Sequence, residues 1–236
     1  PSVFEIIVSA LLLPLSAIYY CIVWIKFKLS KAQKFPIPII SIGNLVLGGS
    51  GKTPLTKAIF NEFNSEFKTF IILRGYKRES KGMQIVALNG DIKCDVATSG
   101  DEAMEYATNL KNANIIVSND RKIAINEAIN LGAKLIILDD GFGKANIFKF
   151  NILLRPAKTP RLNFTIPSGV YRYPSSFYSL ADFIPSSSDI IKKTTIINPQ
   201  PKMVLMTAIA NPSRLEFIFY KCIEHEIFAD HHKVSK

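Results

Sequence analysis

Histidine and cysteine are scarce in this chain, with three of each among 236 residues. Cys21, Cys94 and Cys222 lie far apart and form no C-x-x-C pair. That spacing argues against a disulfide framework or a cysteine zinc site and suits a reducing cytosol. His225, His231 and His232 include the run Asp230-His231-His232, but no further ligands stand at metal-binding spacing. A base or orienting role and a plain polar loop are both open to that run. Acidic residues are also short, 19 against 29 Lys and Arg, for a net charge of +10. Such an excess favours nucleic acid, anionic lipid or a phosphorylated substrate. No basic stretch interleaves with aromatics as nucleic-acid stacking platforms do, so nucleic acid is not expected. The guanine-reading Asn-Lys-x-Asp motif of P-loop GTPases is missing, and no internal repeat is present.

What the chain does have is a phosphate-binding loop. An apolar run, Ile37–Ile42, leads into Gly43-Asn-Leu-Val-Leu-Gly-Gly-Ser-Gly-Lys-Thr-Pro54, and a helical pattern follows. Strand, loop and helix in that order are the context such a loop requires. Gly48, Gly49, Ser50 and Gly51 would turn backbone N–H groups toward phosphate, at a helix N-terminus that favours anions. Lys52 would reach the β- and γ-phosphates of ATP, and the Thr53 hydroxyl would hold Mg²⁺. Val46 stands where the general pattern has its first glycine.

From Ile6 to Ile25 the chain is almost wholly apolar, with Glu5 before it and Lys26, Lys28, Lys31 and Lys34 after it. The length just suffices to cross a bilayer, although Pro14 interrupts the run and Ser9 and Ser16 dilute it. A cleaved signal peptide does not fit, because the basic cluster is at the wrong end. A buried core helix fits the length; a membrane-associated helix, spanning or lying in the interface, fits the lysines better.

Beyond residue 36, short β-type runs alternate with helical stretches. The runs are 37–42, 70–73, 84–88, 114–117, 134–138, 151–154 and 203–208, and helices are expected near 52–65, 101–110 and 120–131. Near-continuous apolar strands such as Leu135–Leu138 predict a mostly parallel, doubly wound α/β sheet of the P-loop NTPase type. Residues 156–200, with many prolines, predict a long loop region. The expected organisation is a membrane-associated segment over 1–35, a P-loop core over 36–198, and the start of a smaller α/β domain over 199–236. The first residue is not Met, and His231–Lys236 forms no closing element. Further residues are therefore expected at both ends.

Three acidic or basic groupings fall where such folds keep their chemistry. Asp139 and Asp140 end an apolar strand, the place of a Mg²⁺-holding aspartate, although Asp-Gly also marks ordinary turns. Ser99-Gly-Asp-Glu102 opens a helix and fits a capping box, with Asp101 a candidate to orient a hydroxyl and accept its proton. Arg121, after a candidate Asp120 N-cap, and Arg74 each follow a strand; either faces phosphate or is simply solvated.

Together these segments resemble the tetraacyldisaccharide 4′-kinase family, the membrane-bound lipid A kinases of Gram-negative bacteria. The resemblance runs through Pro36–Pro54, Leu73–Tyr76, Ser99–Glu102, Asn119–Arg121, Asp139–Phe142, Pro167–Arg172 and Ala208–Pro212 to Asp230–His232. The family shares the non-glycine at Val46. It implies transfer of the γ-phosphoryl of ATP to the 4′-hydroxyl of an anionic, tetraacylated glucosamine disaccharide 1-phosphate, at the cytoplasmic face of the inner membrane. By similarity Asp101 and His231 form a catalytic pair, Asp139 and Asp140 serve Mg²⁺–ATP, and Arg172 helps to hold substrate. The family usually has Gln-His after Asp-Asp-Gly-Phe, where Gly143-Lys144 stand here, and Glu where Tyr173 stands. A rival is a membrane-recruited switch ATPase without lipid phosphorylation. Those proteins carry a signature lysine where Leu47 stands, which counts against that reading.

Overall fold

A computed structural model describes residues 2–48, 50–156, 158–186, 188–190, 200–207 and 215–228. The chain divides into two compact units, Pro1–Pro185 and Ser186–Lys236.

The first unit is built on a seven-stranded sheet. Its strands are β1 (Ile39–Asn44), β2 (Thr69–Leu73), β3 (Gln84–Leu88), β4 (Asp91–Ile92), β5 (Ile115–Val117), β6 (Leu135–Asp139) and β7 (Phe150–Leu154). They are arranged β4-β3-β5-β2-β6-β1-β7. The five from β5 to β7 pair in parallel, and β3 and β4 add an antiparallel edge. β2, β5 and β6 are buried at every position, as strands covered on both faces must be. Ile71 and Leu73 face one core with α2 (Lys52–Phe63) and α4 (Asp101–Asn109), where Phe60, Ala103 and Tyr106 meet them. The alternate positions Phe70 and Ile72 face a second core with Ala124, Ile125 and Ala128 of α5 (Arg121–Asn130).

β1 begins at Ile39, two residues later than the apolar run suggests, because Pro38 has no N–H for the ladder. The capping box expected at Ser99–Glu102 does not form. Asp95 caps a short preceding helix, α3 (Val96–Ser99), and the Ser99 hydroxyl donates back to the Asp95 carbonyl at 2.9 Å. Gly100, at φ 84°, is the N-cap of α4 with no side-chain cap bond. Between 156 and 186, the described residues hold one regular piece, a 3₁₀ turn at Ser175–Leu180.

The apolar N-terminal segment is one helix, α1 (Val3–Leu29), with Ser2 and Glu5 forming a reciprocal capping box. Its buried residues are Ser9, Ser16 and Val23, one every seventh position. Seven residues are close to two helical turns, so the three form one stripe. The serines therefore do not merely dilute the run. Ser9 and Ser168 each donate a hydroxyl to the other's carbonyl at 2.8 Å. Ser16 donates to the Thr165 carbonyl at 2.8 Å and accepts from the Ser168 N–H at 2.9 Å. Further along, Tyr19 donates to the Arg172 carbonyl at 2.9 Å, and Phe27 packs against Phe142, Tyr173 and Phe177. Most of the remaining surface of α1 is exposed and apolar, and its length and hydropathy are sufficient to cross a membrane.

The second unit contains, among its described residues, the parallel pair β8 (Val204–Thr207) and β9 (Glu224–Ile227) and the single turn α6 (Glu216–Phe219).

Candidate active site

The loop between β1 and α2 sits at the carboxyl end of a strand flanked by β6 and β7. Gly48 and Gly51 adopt φ of 97° and 88°, a left-handed backbone that only glycine enters freely. A Cβ on either would meet nothing within 4 Å, so backbone conformation, not crowding, requires glycine there. The Ser50 hydroxyl is buried in the loop with no protein partner.

Asn44, fully buried at the end of β1, organises the loop from beneath. Its amide nitrogen donates to the Val46 carbonyl at 3.0 Å and to that of Gly48 at 3.4 Å. Its oxygen accepts from Lys52 Nζ at 3.2 Å and from Arg172 Nη2 at 2.7 Å. Arg172 also grips Asp140 with two hydrogen bonds of 2.9 Å, and Lys52 Nζ lies 3.7 Å from the same carboxylate. Burial alone would push the Asp140 carboxyl up. The Arg172 hydrogen bonds, with the charges of Lys52, Arg172 and Arg121, outweigh it and hold the group below the usual carboxylate range. Arg172 reaches the loop because its own segment pairs with it. Leu47 N–H donates to Val170, and Arg172 N–H to Leu45, both at 2.8 Å.

Asp139 is the deeper acid. Parallel pairing sets it beside Ile42 of β1. Tyr106 of α4 donates its phenol to Asp139 Oδ2 at 2.8 Å, while Oδ1 is buried with no protein partner. Burial raises the Asp139 carboxyl to about 6, only partly countered by the Tyr106 hydrogen bond and by Lys52. The Tyr106 hydroxyl, pushed well above its ordinary value by burial and by Asp139, is also faced by Thr53 and Thr56. Thr53 and Asp139 thus offer hard oxygen donors of the kind Mg²⁺ takes. Among the described residues no three His, Cys, Asp or Glu side chains cluster around a metal position. An ion here would complete its shell with nucleotide oxygens and water.

The arginines separate. Arg121 is only 3% exposed, which excludes the solvated alternative, and Asp120 caps its helix as expected. Its Nη1 donates to the Ser118 carbonyl and its Nε has no protein partner. Burial lowers it to about 10 against the pull of Asp139 and Asp140. Arg74 is exposed after β2, close enough to Arg121 to be felt electrostatically. Asp101 opens α4, five residues before Tyr106, or about 7.5 Å along the helix axis. Gly49 and His231 lie outside the described residues.

The sequence reading missed Asn44 and Tyr106. Asn44 stood inside the quoted loop motif; Tyr106 gave only the spacing of a core position on α4. A pairing was also invisible. Gly143 and Tyr173 touch, and a Cβ on Gly143 would stand 2.0 Å from the Tyr173 hydroxyl. A side chain at 143 would have to displace the Tyr173 ring from this position.

Comparison with known proteins gives the family. The family model for LpxK, tetraacyldisaccharide-1-P 4′-kinase, matches residues 8–200. A tetraacyldisaccharide 4′-kinase of Aliarcobacter butzleri is 47% identical, covering 100% of this chain and 76% of that protein. Its namesake from Campylobacter jejuni is 44% identical with the same coverage. A third, from Helicobacter pylori, is 44% identical over 93% of this chain and 70% of its own length. Among solved structures, LpxK from Aquifex aeolicus in complex with ATP superposes with a TM-score of 0.81 at 25% identity, covering 97% of this chain and 85% of that one. With a matching family model over most of its length and near-half identity to curated members, the chain belongs to the tetraacyldisaccharide 4′-kinase family.

Proposed function

We propose that this chain transfers the γ-phosphoryl group of ATP to the 4′-hydroxyl of a tetraacylated glucosamine disaccharide 1-phosphate, a step of lipid A biosynthesis. The observation that carries this reading is the convergence of Asn44, Lys52, Asp140 and Arg172 on a phosphate-binding loop. The segment that supplies Arg172 is itself bonded to an apolar surface helix. A nucleotide site built against such a helix suits an acceptor that stays in a bilayer.

Phosphoryl transfer asks the protein mainly for positioning and charge neutralisation. In this reading the loop N–H groups of residues 48–53 cradle the phosphates, and Lys52 exchanges its contact with Asn44 and Asp140 for phosphate oxygens. Thr53 and Asp139 would hold Mg²⁺, with Asp140 beside them, and the ion when bound supplies further neutralisation of the phosphate oxygens. Arg172, positioned by Asn44, reaches the transferring group or the acceptor. Arg74 and Arg121 add positive charge for the anionic lipid. Asp101 and His231 handle the proton of the attacking hydroxyl.

We further infer that α1 lies in the membrane interface on the cytoplasmic side. The polar contacts from Ser9 to Tyr19 stitch half its length to residues 165–172. A helix crossing the bilayer would draw the irregular segment 165–172 into hydrocarbon, where lipid-exposed loop backbone is not tolerated. Lying flat, it buries its exposed apolar face and leaves Lys26, Lys28, Lys31 and Lys34 at the headgroups.

The test uses the full chain in detergent micelles with radiolabelled ATP, the tetraacyldisaccharide 1-phosphate and an Asp101→Ala control. Label on the lipid, lost in the variant, supports the kinase and the role of Asp101. ATP hydrolysis with unlabelled lipid returns the switch-ATPase reading.

A further inference from the structure

We propose that Tyr106 is a positioning residue of the nucleotide site, whose phenol fixes Asp139 so that one carboxylate oxygen, Oδ1, is held free for a nucleotide-bound divalent cation. The inference rests on the nucleotide reading above and adds a residue that the loop motif does not contain.

Tyr106 is completely buried, in the stripe Ala103, Tyr106 and Ala107 that α4 turns to the sheet. Packing alone would be served by phenylalanine. The added hydroxyl is spent on one acceptor, Asp139 Oδ2, at 2.8 Å. The other oxygen of the same carboxylate is equally buried and has no protein partner. A buried acceptor without a partner is rare and asks for a reason. A single donor on one side is what sets the rotation of a carboxylate and decides which oxygen faces the open position. Groups that orient a ligand in this way matter nearly as much as the ligand.

The placement of the phenol supports the same conclusion. It lies where three pieces of the site meet: the end of β6, the start of α2, and α4. Thr53 and Thr56 of α2 face the hydroxyl. Beside it, Lys57 Nζ of α2 lies 2.6 Å from Glu105 Oε1 of α4, and 6.0 Å from the centre of the Tyr106 ring. Asp101 begins the helix that carries Tyr106. One side chain therefore links the buried acid, the nucleotide loop helix and the helix bearing the proposed base.

The experiment is calorimetric titration of the full chain with ATP, with and without Mg²⁺, for the parent, Tyr106→Phe and Lys57→Ala. In the parent, Mg²⁺ tightens ATP binding. For Tyr106→Phe the metal-free affinity is expected to stay within about twofold, while the Mg²⁺-dependent gain falls by about tenfold. The half-saturating Mg²⁺ concentration in the transfer assay should rise in parallel. Lys57→Ala, at the same junction but off Asp139, should leave the gain intact. A Tyr106→Phe protein with the full Mg²⁺ gain, or one weakened equally with and without Mg²⁺, overturns the proposal. If Tyr106→Phe melts too low to titrate, fluorotyrosine at position 106 preserves ring and hydroxyl but changes the strength of the bond. It should then shift the half-saturating Mg²⁺ without changing metal-free ATP binding, and no shift overturns the proposal. A parent chain that binds no ATP would instead sink the nucleotide reading itself.

Discussion

Asn44 shows how much of the site rests on one neutral side chain. It donates to two loop carbonyls and accepts from two cations, so alanine there loses four contacts. Bonds to charged groups contribute about 1.5–3 kcal/mol each. Asn44→Ala should therefore lower the stability of the nucleotide-free protein by at least about 1.5 kcal/mol in denaturant unfolding; an unchanged midpoint would show that these contacts add nothing to the loop. Asp139 gives a pH signature in the absence of divalent cations. Its folded-state value of about 6 lies above the ordinary 3.8, so the folded protein holds that proton more tightly than the unfolded chain. Asp139 thus costs stability progressively as pH rises through that window, by up to about 3 kcal/mol. Asp139→Asn should be more stable than the parent by denaturant unfolding above pH 6 and close to it below about pH 4. An equal difference at both would show that burial is not the cause. Gly143→Ala should destabilise by about 1–3 kcal/mol through overpacking against Tyr173. The double change with Tyr173→Phe should recover part of that loss in thermal melts, which independent sites would not do. At this scale the phosphate loop was legible because backbone sterics and charge leave few alternatives for its residues. The bond from Arg172 to Asn44 and the partners of Tyr106 and Gly143 were not, because each joins distant parts of the chain.

Among elements, α1 carries two surfaces with different demands. Its apolar face announces itself in composition. Its docking face is polar, and only the seven-residue recurrence of Ser9, Ser16 and Val23 signals it. Ser9→Ala with Ser16→Ala leaves the Ser168 carbonyl and N–H without partners, each costing about 1–3 kcal/mol where buried, and takes one of two donors from the Thr165 carbonyl, which keeps the Gly169 N–H. Amide hydrogen exchange should then quicken over residues 162–173 while β2 and β6 stay protected. Exchange raised evenly through the sheet, or not at all, would argue against a local seam. The strands and long helices were readable because β2, β5 and β6 are apolar but for Thr69 and Asp139, and because α2 and α5 start at recognisable signals. The antiparallel edge was not. Gln84–Leu88 looks like its parallel neighbours in isolation, and direction is decided by the connection, not the strand. The failed capping box has a similar cause, because Asp95 one turn earlier competes for Ser99.

At the scale of the molecule, the parallel order of β6, β1 and β7 brings the phosphate loop and Asp139 to one edge, and α1 with its loop closes the flank. The lysines in the last turn of α1 and just beyond it should make vesicle binding depend on lipid charge. Each contributes about 1 kcal/mol near an anionic surface, so Lys28→Gln with Lys31→Gln should lower binding to anionic vesicles by about thirtyfold. Binding to neutral vesicles should change little, and an equal loss on both would mean that the lysines act through the fold. The bond from Tyr19 to the Arg172 backbone makes residence at the membrane and readiness of the site separate properties. An unrelated greasy anchor grafted in place of α1 would keep the protein at the bilayer yet leave Arg172 without its backing. In the proposed reading the helix backs the site as well as mooring the protein, and a foreign mooring cannot be exchanged for it.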